Sequence, residues 1–370
     1  MTLCRRAALR LLIGCSVLMS PACSVKATTV GPLEVLTPPQ PQLFAATSIW
    51  DTPLPKVAAK AGADDLAGRL ARQAQYNDRG APVKGLYATG FGVNINMQNY
   101  SVPVWTVPLG QPRVKVTLLD GAGAARPPGW ARGLPEQLAE VPLPTGVGTL
   151  EARGSDGHVA IWQPSTDTYW EFWVFHTAPA GSRGPTARYG GRIQHVSASS
   201  GVLPNNWGAR ATSLALLGGV VRMGEYLRGV VPHALAVGLP AVSMVAVAPA
   251  TRGDGPGASV ASGSASAAAA DAVPEGARFR LPSGYDCLGR VPAERPLVRI
   301  LCAAARDYGM IVVDRTGGTV SFYAEDDKTV GTSFSDVTAS PWPWVALGGP
   351  GSGLTDAFPW SDLTSVGPGT

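Results

Sequence analysis

Apolar residues along this chain come in short runs separated by glycine- and proline-rich breaks, and the period of each run sets the element it predicts. A helical pattern spans about Ala58 to Gln75. GVNINM, VPVWTVP and RVKVTLLD (Arg113–Asp120) then read as strands, and the glycine- and proline-rich stretch 121–146 as a long loop. After GGRIQHVSAS comes a more helical section, ATSLALLGGVVRMGEYLRG, followed by the apolar runs HALAVGL and VSMVAVAP. The last segment predicts a strand at GARFRLP, a helix at RPLVRILCAAARDYG, and the strands MIVVD and VSFYAED, joined as a hairpin across Arg315–Gly318. No repeat of fixed period is visible. Many short strands and few helices predict a mainly β protein, an antiparallel β-sandwich or jelly-roll-like body with two or three helices.

The densest pattern is DGHVAIWQPSTDTYWEFWVFH, Asp156–His176, which holds six aromatic residues. Paired as a hairpin turning at Ser165–Thr166, it sets His158 opposite Trp173, Ala160 opposite Glu171 and Trp162 opposite Tyr169. Because side chains alternate across a strand, Val159, Ile161, Trp170, Phe172 and Val174 form a uniformly apolar face suited to a core. The other face carries His158, Trp162, Tyr169, Glu171 and Trp173. Burying a carboxylate there is costly, so this face is expected to line a groove. Aromatic rings beside ionisable groups suit sugar recognition. A purely structural role, with His158 and Glu171 bonding each other or nearby loops, uses the same residues.

Length and composition narrow the classes. The chain has 370 residues, is 45% hydrophobic and carries a formal charge of +4 with no basic run beyond Arg5-Arg6, which argues against a nucleic-acid partner. Residues 1–27 read as a signal or lipoprotein leader, with Arg5, Arg6 and Arg10 before the apolar LLIGCSVLMSPA. Cys15 or Cys23 is a candidate for lipid attachment, and cleavage near Ala27 is the soluble alternative, so any membrane association runs through a lipid anchor. Residues 28–45 form a tether, and 46–335 a β-rich domain with a flexible insertion at 251–273. The tail 336–370 is expected to pack in part on the body through Trp342, Trp344 and Trp360.

Export places Cys287 and Cys302 in an oxidising compartment, where a disulfide closing a loop of roughly 15 residues is worth about 3 kcal/mol. No metal-ligand spacing, GxSxG elbow, P-loop or dinucleotide fingerprint occurs, so no metal or cofactor is expected. A glycosidase needs two facing carboxyls, and the candidates are Glu171 and Asp156, with His158 orienting them. Trp162, Tyr169, Trp173 and Trp207 are candidate sugar-stacking residues. Tyr189, Arg192 and His195 form a triplet that could serve a uronate lyase, with the arginine neutralising the carboxylate and the tyrosine or histidine acting as base. His233 is a further candidate at the start of an apolar strand. Glu225 is expected to be solvated, and Glu325-Asp326-Asp327 an exposed end.

VPVWTVP, DGHVAIWQPSTDTYWEFW, WGARATSLALLGGVVRMGEYLRGVVPHAL, EGARFRL and YGMIVVD, in that order, resemble a family of uncharacterised exported bacterial proteins. The likeness runs from about Trp50 to Asp327 and implies one continuous unit with the low-complexity insertion inside it. It supplies no activity. Asp156, His158, Glu171, Trp207, Glu225, His233 and Arg278 are the positions within it that packing leaves unexplained. The expectation is an exported carbohydrate-active enzyme, a glycoside hydrolase cleaving an envelope or environmental polysaccharide. A noncatalytic envelope lipoprotein that binds glycan or protein, and a polysaccharide lyase, are the alternatives.

Overall fold

The computed structural model describes residues 42–56, 65–75, 93–97, 99–178, 184–255, 270–317, 320–329 and 357–367. The leader, most of the tether, Trp342 and Trp344 lie outside the described residues. Helix α1 (Asp65–Gln75) is followed by strands β1 (Asn94–Asn96), β2 (Val104–Thr106) and β3 (Thr117–Leu118). A short irregular helix α2 (Trp130–Gln137) interrupts the expected loop, and β4 (Val159–Gln163), β5 (Thr168–Trp173), β6 (Thr186–Ala187) and β7 (Tyr189–Gln194) follow. The second half supplies α3 (Met223–Arg228), β8 (Leu235–Leu239), β9 (Arg278–Arg280), α4 (Cys287–Arg290), α5 (Pro296–Asp307), β10 (Met310–Arg315), β11 (Ser321–Tyr323) and β12 (Thr364–Val366).

These strands form a six-stranded sheet in the order β1-β11-β8-β10-β9-β12, a four-stranded sheet β2-β4-β5-β7 and the pair β3-β6. The body is thus rich in sheet, but both larger sheets mix parallel and antiparallel neighbours, unlike the purely antiparallel body expected. The expected hairpin of MIVVD with VSFYAED does not form. Strand β8 lies between them, parallel to β10 and antiparallel to β11. The reason is its composition: every residue of LAVGL is buried, which requires the middle of a sheet.

Period-two alternation splits this sheet between two cores. Leu235, Val237, Met310, Val312 and Phe322 pack with Leu70 and Ala74 of α1 and with Leu297 and Leu301 of α5. Ala236, Ile311, Val313 and Tyr323 belong to the core that holds Ile161, Tyr169, Trp170 and Phe172. On the helical side Trp360 stacks on Phe322, with ring centroids 5.6 Å apart, and Cys287 joins Cys302 with an S–S distance of 2.02 Å, tying α4 to α5 as expected. No helix among the described residues is long and apolar enough to cross a membrane.

The section read as helical is helical only over Met223–Arg228. Before it, Gly218 and Gly219 press against the Trp50 indole, and a Cβ on Gly218 would come within 2.2 Å of that ring. Glycines packed this tightly hold an irregular path where a side-chain-bearing helix does not fit.

Candidate functional site

A cavity of about 1130 Å³ opens where strands of both larger sheets end. One of its walls is made by a break in alternation. Asp314 has the parity of Met310 and Val312, and a regular strand would aim it at the helical core. The register of β10 against β8 slips between Val312 and Asp314, so Val312 faces Val237 and Asp314 faces Gly238. Such a bulge redirects the following side chain. Asp314 accordingly lines the cavity beside Tyr323 and Arg210.

Asp254 and Glu275 meet Asp314 there, each offering a carboxylate oxygen within 4.8 Å of the other two. At that separation two like charges repel by about 3 kcal/mol for an effective dielectric near 20, enough to hold a proton on the cluster. Burial, and then the charges of Asp254 and Glu275, push the Asp314 carboxyl well above the usual carboxylate range. Burial and Asp254 push Glu275 up to about 7. Asp254 is raised by burial against the pull of Arg315 and Arg252. Glu275 is fully buried; its Oε2 accepts the Asp254 backbone N–H at 2.9 Å, whereas Oε1 has no partner among the described residues. An all-oxygen set of this size could also hold a hard cation. Arg210, Arg252 and Arg315 already supply positive charge beside it.

The cavity is also lined by aromatic and basic groups. Arg126 lies 4.3 Å over the Trp130 ring, Trp130 meets Tyr189 edge-on at 5.6 Å, and Arg252 lies 5.1 Å over Tyr189. Trp173 neighbours Tyr189 across the β5-β7 ladder, and its Nε1–H points at Asp156 Oδ1, 3.5 Å away. Arg252 also fixes the local backbone, donating to the Gly208 and Arg210 carbonyls at 3.1 and 2.8 Å and to Ser213 Oγ at 2.8 Å.

The hairpin has the register read from its sequence, with Ala160 opposite Glu171 and Trp162 opposite Tyr169. Its second face, however, is closed. His158, Tyr169 and Glu171 are buried and Trp162 is half-buried, leaving Trp173, 39% exposed, as the ring that reaches the cavity with Asp156. Segment 208–217 covers this face and supplies donors to Glu171 and Tyr169. Ala209 N–H donates to Glu171 Oε1 at 2.6 Å, Leu216 N–H to Oε2 at 2.7 Å, and Leu217 N–H to the Tyr169 hydroxyl at 3.1 Å. Burial raises the Glu171 carboxyl, while those two amides pull it back. Burial also pushes His158 down to about 4 against the pull of Asp156, leaving the imidazole neutral.

The Tyr189, Arg192 and His195 triplet does not converge. Three positions apart on a strand, Tyr189 turns to the cavity while Arg192 lies 5.7 Å from the Trp170 ring on the other face, and His195 sits exposed beyond the strand end. Trp207 is buried, and its Nε1–H donates to the Ala131 carbonyl at 2.7 Å, a tie that holds α2 in place. His233 belongs to a separate cavity of about 330 Å³. There its Nδ1–H donates to the Ala234 carbonyl at 2.8 Å and Nε2 lies 3.1 Å from Glu225. Burial depresses this imidazole, but Glu225, the Ala234 carbonyl and Asp51 together outweigh it and raise its pKa.

Glu225 is therefore buried and paired, not solvated as expected. Glu325 and Asp326 of the supposed acidic end are buried as well: Arg222 Nε donates to Glu325 at 3.1 Å, and Ser101 Oγ to Asp326 at 2.7 Å. Arg278, unexplained by packing in the sequence, donates to the Tyr308 carbonyl.

Sequence reasoning passed over Asp254, Glu275, Arg126 and Arg252. Asp254 and Arg252 stood at the start of what reads as a mobile insertion, and Glu275 before a strand. Only the tertiary fold joins them. Compared with protein families, curated proteins and solved structures, the chain matches none.

Proposed function

We propose that the protein is a glycoside hydrolase acting on a polysaccharide in the cavity between the two larger sheets, which we read as a sandwich-like scaffold. The observation that carries this reading is the carboxyl cluster of Asp254, Glu275 and Asp314 at the edge of an aromatic-lined cavity. A cavity of about 1130 Å³ exceeds the needs of a single sugar ring and suits an extended chain.

Environment divides the roles. Asp314, held well above its usual range, keeps its proton and acts as general acid on the glycosidic oxygen. Asp254, exposed and flanked by Arg252 and Arg315, attacks the anomeric carbon as the leaving oxygen takes the Asp314 proton. Water then hydrolyses the glycosyl ester, delivering its proton back to Asp314 and releasing Asp254. Glu275 fixes Asp254 through the 2.9 Å bond to its backbone N–H. Oxygens within 4.8 Å fit the short carboxyl spacing of retaining enzymes, about 5 Å, better than the wider inverting one.

The test is release of reducing ends from polysaccharides, with NMR of the first product. Retained anomeric configuration, and loss of cleavage in Asp314→Asn and Asp254→Asn proteins that still fold, would support the assignment. A fully active Asp314→Asn protein would overturn it, and saturable binding without new reducing ends would point to a noncatalytic glycan-binding protein. The leader supports an exported enzyme, lipid-anchored or secreted, that meets its polymer outside the cytoplasm.

A further inference from the structure

We infer that the wall built by Arg126, Trp130, Tyr189 and Arg252 is a subsite for the carboxylate of an acidic sugar, so that the polymer taken by this cavity is anionic. The inference rests on reading the cavity as a glycan site and adds the substrate's charge. Arg126 is its centre. Asp120 folds the preceding turn by accepting the Ala122 and Ala124 amides at 2.9 and 2.8 Å, and the Arg126 backbone N–H donates to Leu118 at 2.8 Å. The main chain at Arg126 is thereby fixed.

The side chain lies 4.3 Å over Trp130, and its Nε is shielded from water with no acceptor among the described residues. A guanidinium held over an indole has lost freedom in advance, and its terminal N–H groups suit a planar acceptor. The indole, with Tyr189 beside it, offers apolar surface for the C–H groups of a sugar ring. A sugar carboxylate presents both features together, a planar pair of oxygens on a ring.

Charge supports the same ligand. Arg126, Arg188, Arg210, Arg252 and Arg315 line the cavity against Asp156, Asp254 and Asp314, and Asp314 is held toward its neutral form by burial. Asp120 also feels the Arg126 charge, but its own turn amides engage it, the Ala124 amide most strongly.

Calorimetry with a galacturonate oligosaccharide and a neutral glucose oligosaccharide of equal length tests the inference without requiring cleavage. Tighter binding of the uronate, weakening with added salt, is expected, with a loss of about tenfold or more in Arg126→Gln and a smaller loss in Arg126→Lys, which keeps the charge but not the fork. A sulfated oligosaccharide provides the third arm. Preference for it over the uronate, equal binding of the neutral and uronate chains, or an Arg126→Gln protein that binds uronate as wild type would each overturn the assignment. Uronate binding without cleavage would leave this subsite standing and remove the hydrolase reading instead.

Discussion

Glu275 holds Asp254 by its backbone: the Asp254 N–H donates to Glu275 Oε2 at 2.9 Å, while the other Glu275 oxygen is buried without a partner among the described residues. A carboxyl in that position favours its neutral form, and burial with Asp254 alongside raises it to about 7. Its folded pKa lies above its unfolded value, so its contribution to stability is full below about pH 4.5 and is lost as pH rises through about 7. Asp314, also raised, acts in the same direction. Urea unfolding at a series of pH values should show wild-type stability falling across this window, with a flatter profile for Glu275→Gln. A wild-type profile that climbs over the same range would contradict the protonated cluster.

Gly238 faces Asp314 across the bulge, and a Cβ there would lie 2.7 Å from the Tyr323 hydroxyl and 2.7 Å from Thr316 Cγ2. Gly238→Ala should therefore displace the phenol or open the bulge. Overpacking of this kind costs about 1–3 kcal/mol. Both displacements move groups that line the cavity, so polysaccharide cleavage should fall with stability. Thermal melting and initial rates measured on the same preparation check the pair of effects, and an unchanged Gly238→Ala protein would show that this wall has slack.

Local pairing was readable in the sequence because adjacent segments decide it. The hairpin of β4 and β5 has its register from alternating apolar residues around one turn. The Cys287–Cys302 bridge follows from two cysteines in a chain otherwise without them after the leader. What was not readable depends on distant segments. Burial of Glu171 needs segment 208–217, and the separation of β10 from β11 needs β8 from more than 70 residues earlier. Asp314 is the sharpest case. Strict alternation assigns it to the helical core, and only the bulge places it in the cavity, where Asp254 and Glu275 arrive from an unrelated stretch.

The disulfide and the cavity belong to different cores. Cys287 and Cys302 pack with α1 and α5, whereas Tyr323 and the β4-β5 hairpin belong to the other core. Replacing both cysteines by serine should lower stability by about 3 kcal/mol, the value for a loop of this length. It should leave the cleavage rate unchanged at temperatures where the protein remains folded. Denaturant unfolding of the double variant, with and without reductant for wild type, separates this outcome from a disulfide that supports the site.

Glu171 decides between two accounts of the hairpin. Both of its oxygens accept backbone amides, from Ala209 at 2.6 Å and Leu216 at 2.7 Å, and so fix the strand of loop that carries Arg210 into the cavity. Glu171→Gln keeps one acceptor and sets an NH₂ donor against the other amide, leaving a buried N–H unsatisfied at a cost of about 1–3 kcal/mol. If Glu171 positions the wall, this variant should lose stability, bind substrate more weakly, and retain far more cleavage activity than Asp314→Asn. Rates at saturating substrate, corrected for the folded fraction, make the comparison. A Glu171→Gln protein as stable as wild type but without cleavage would return the catalytic role to the hairpin and remove it from the Asp254–Asp314 pair, because a positioning carboxylate cannot be dispensable for the loop it holds and indispensable for the bond being broken.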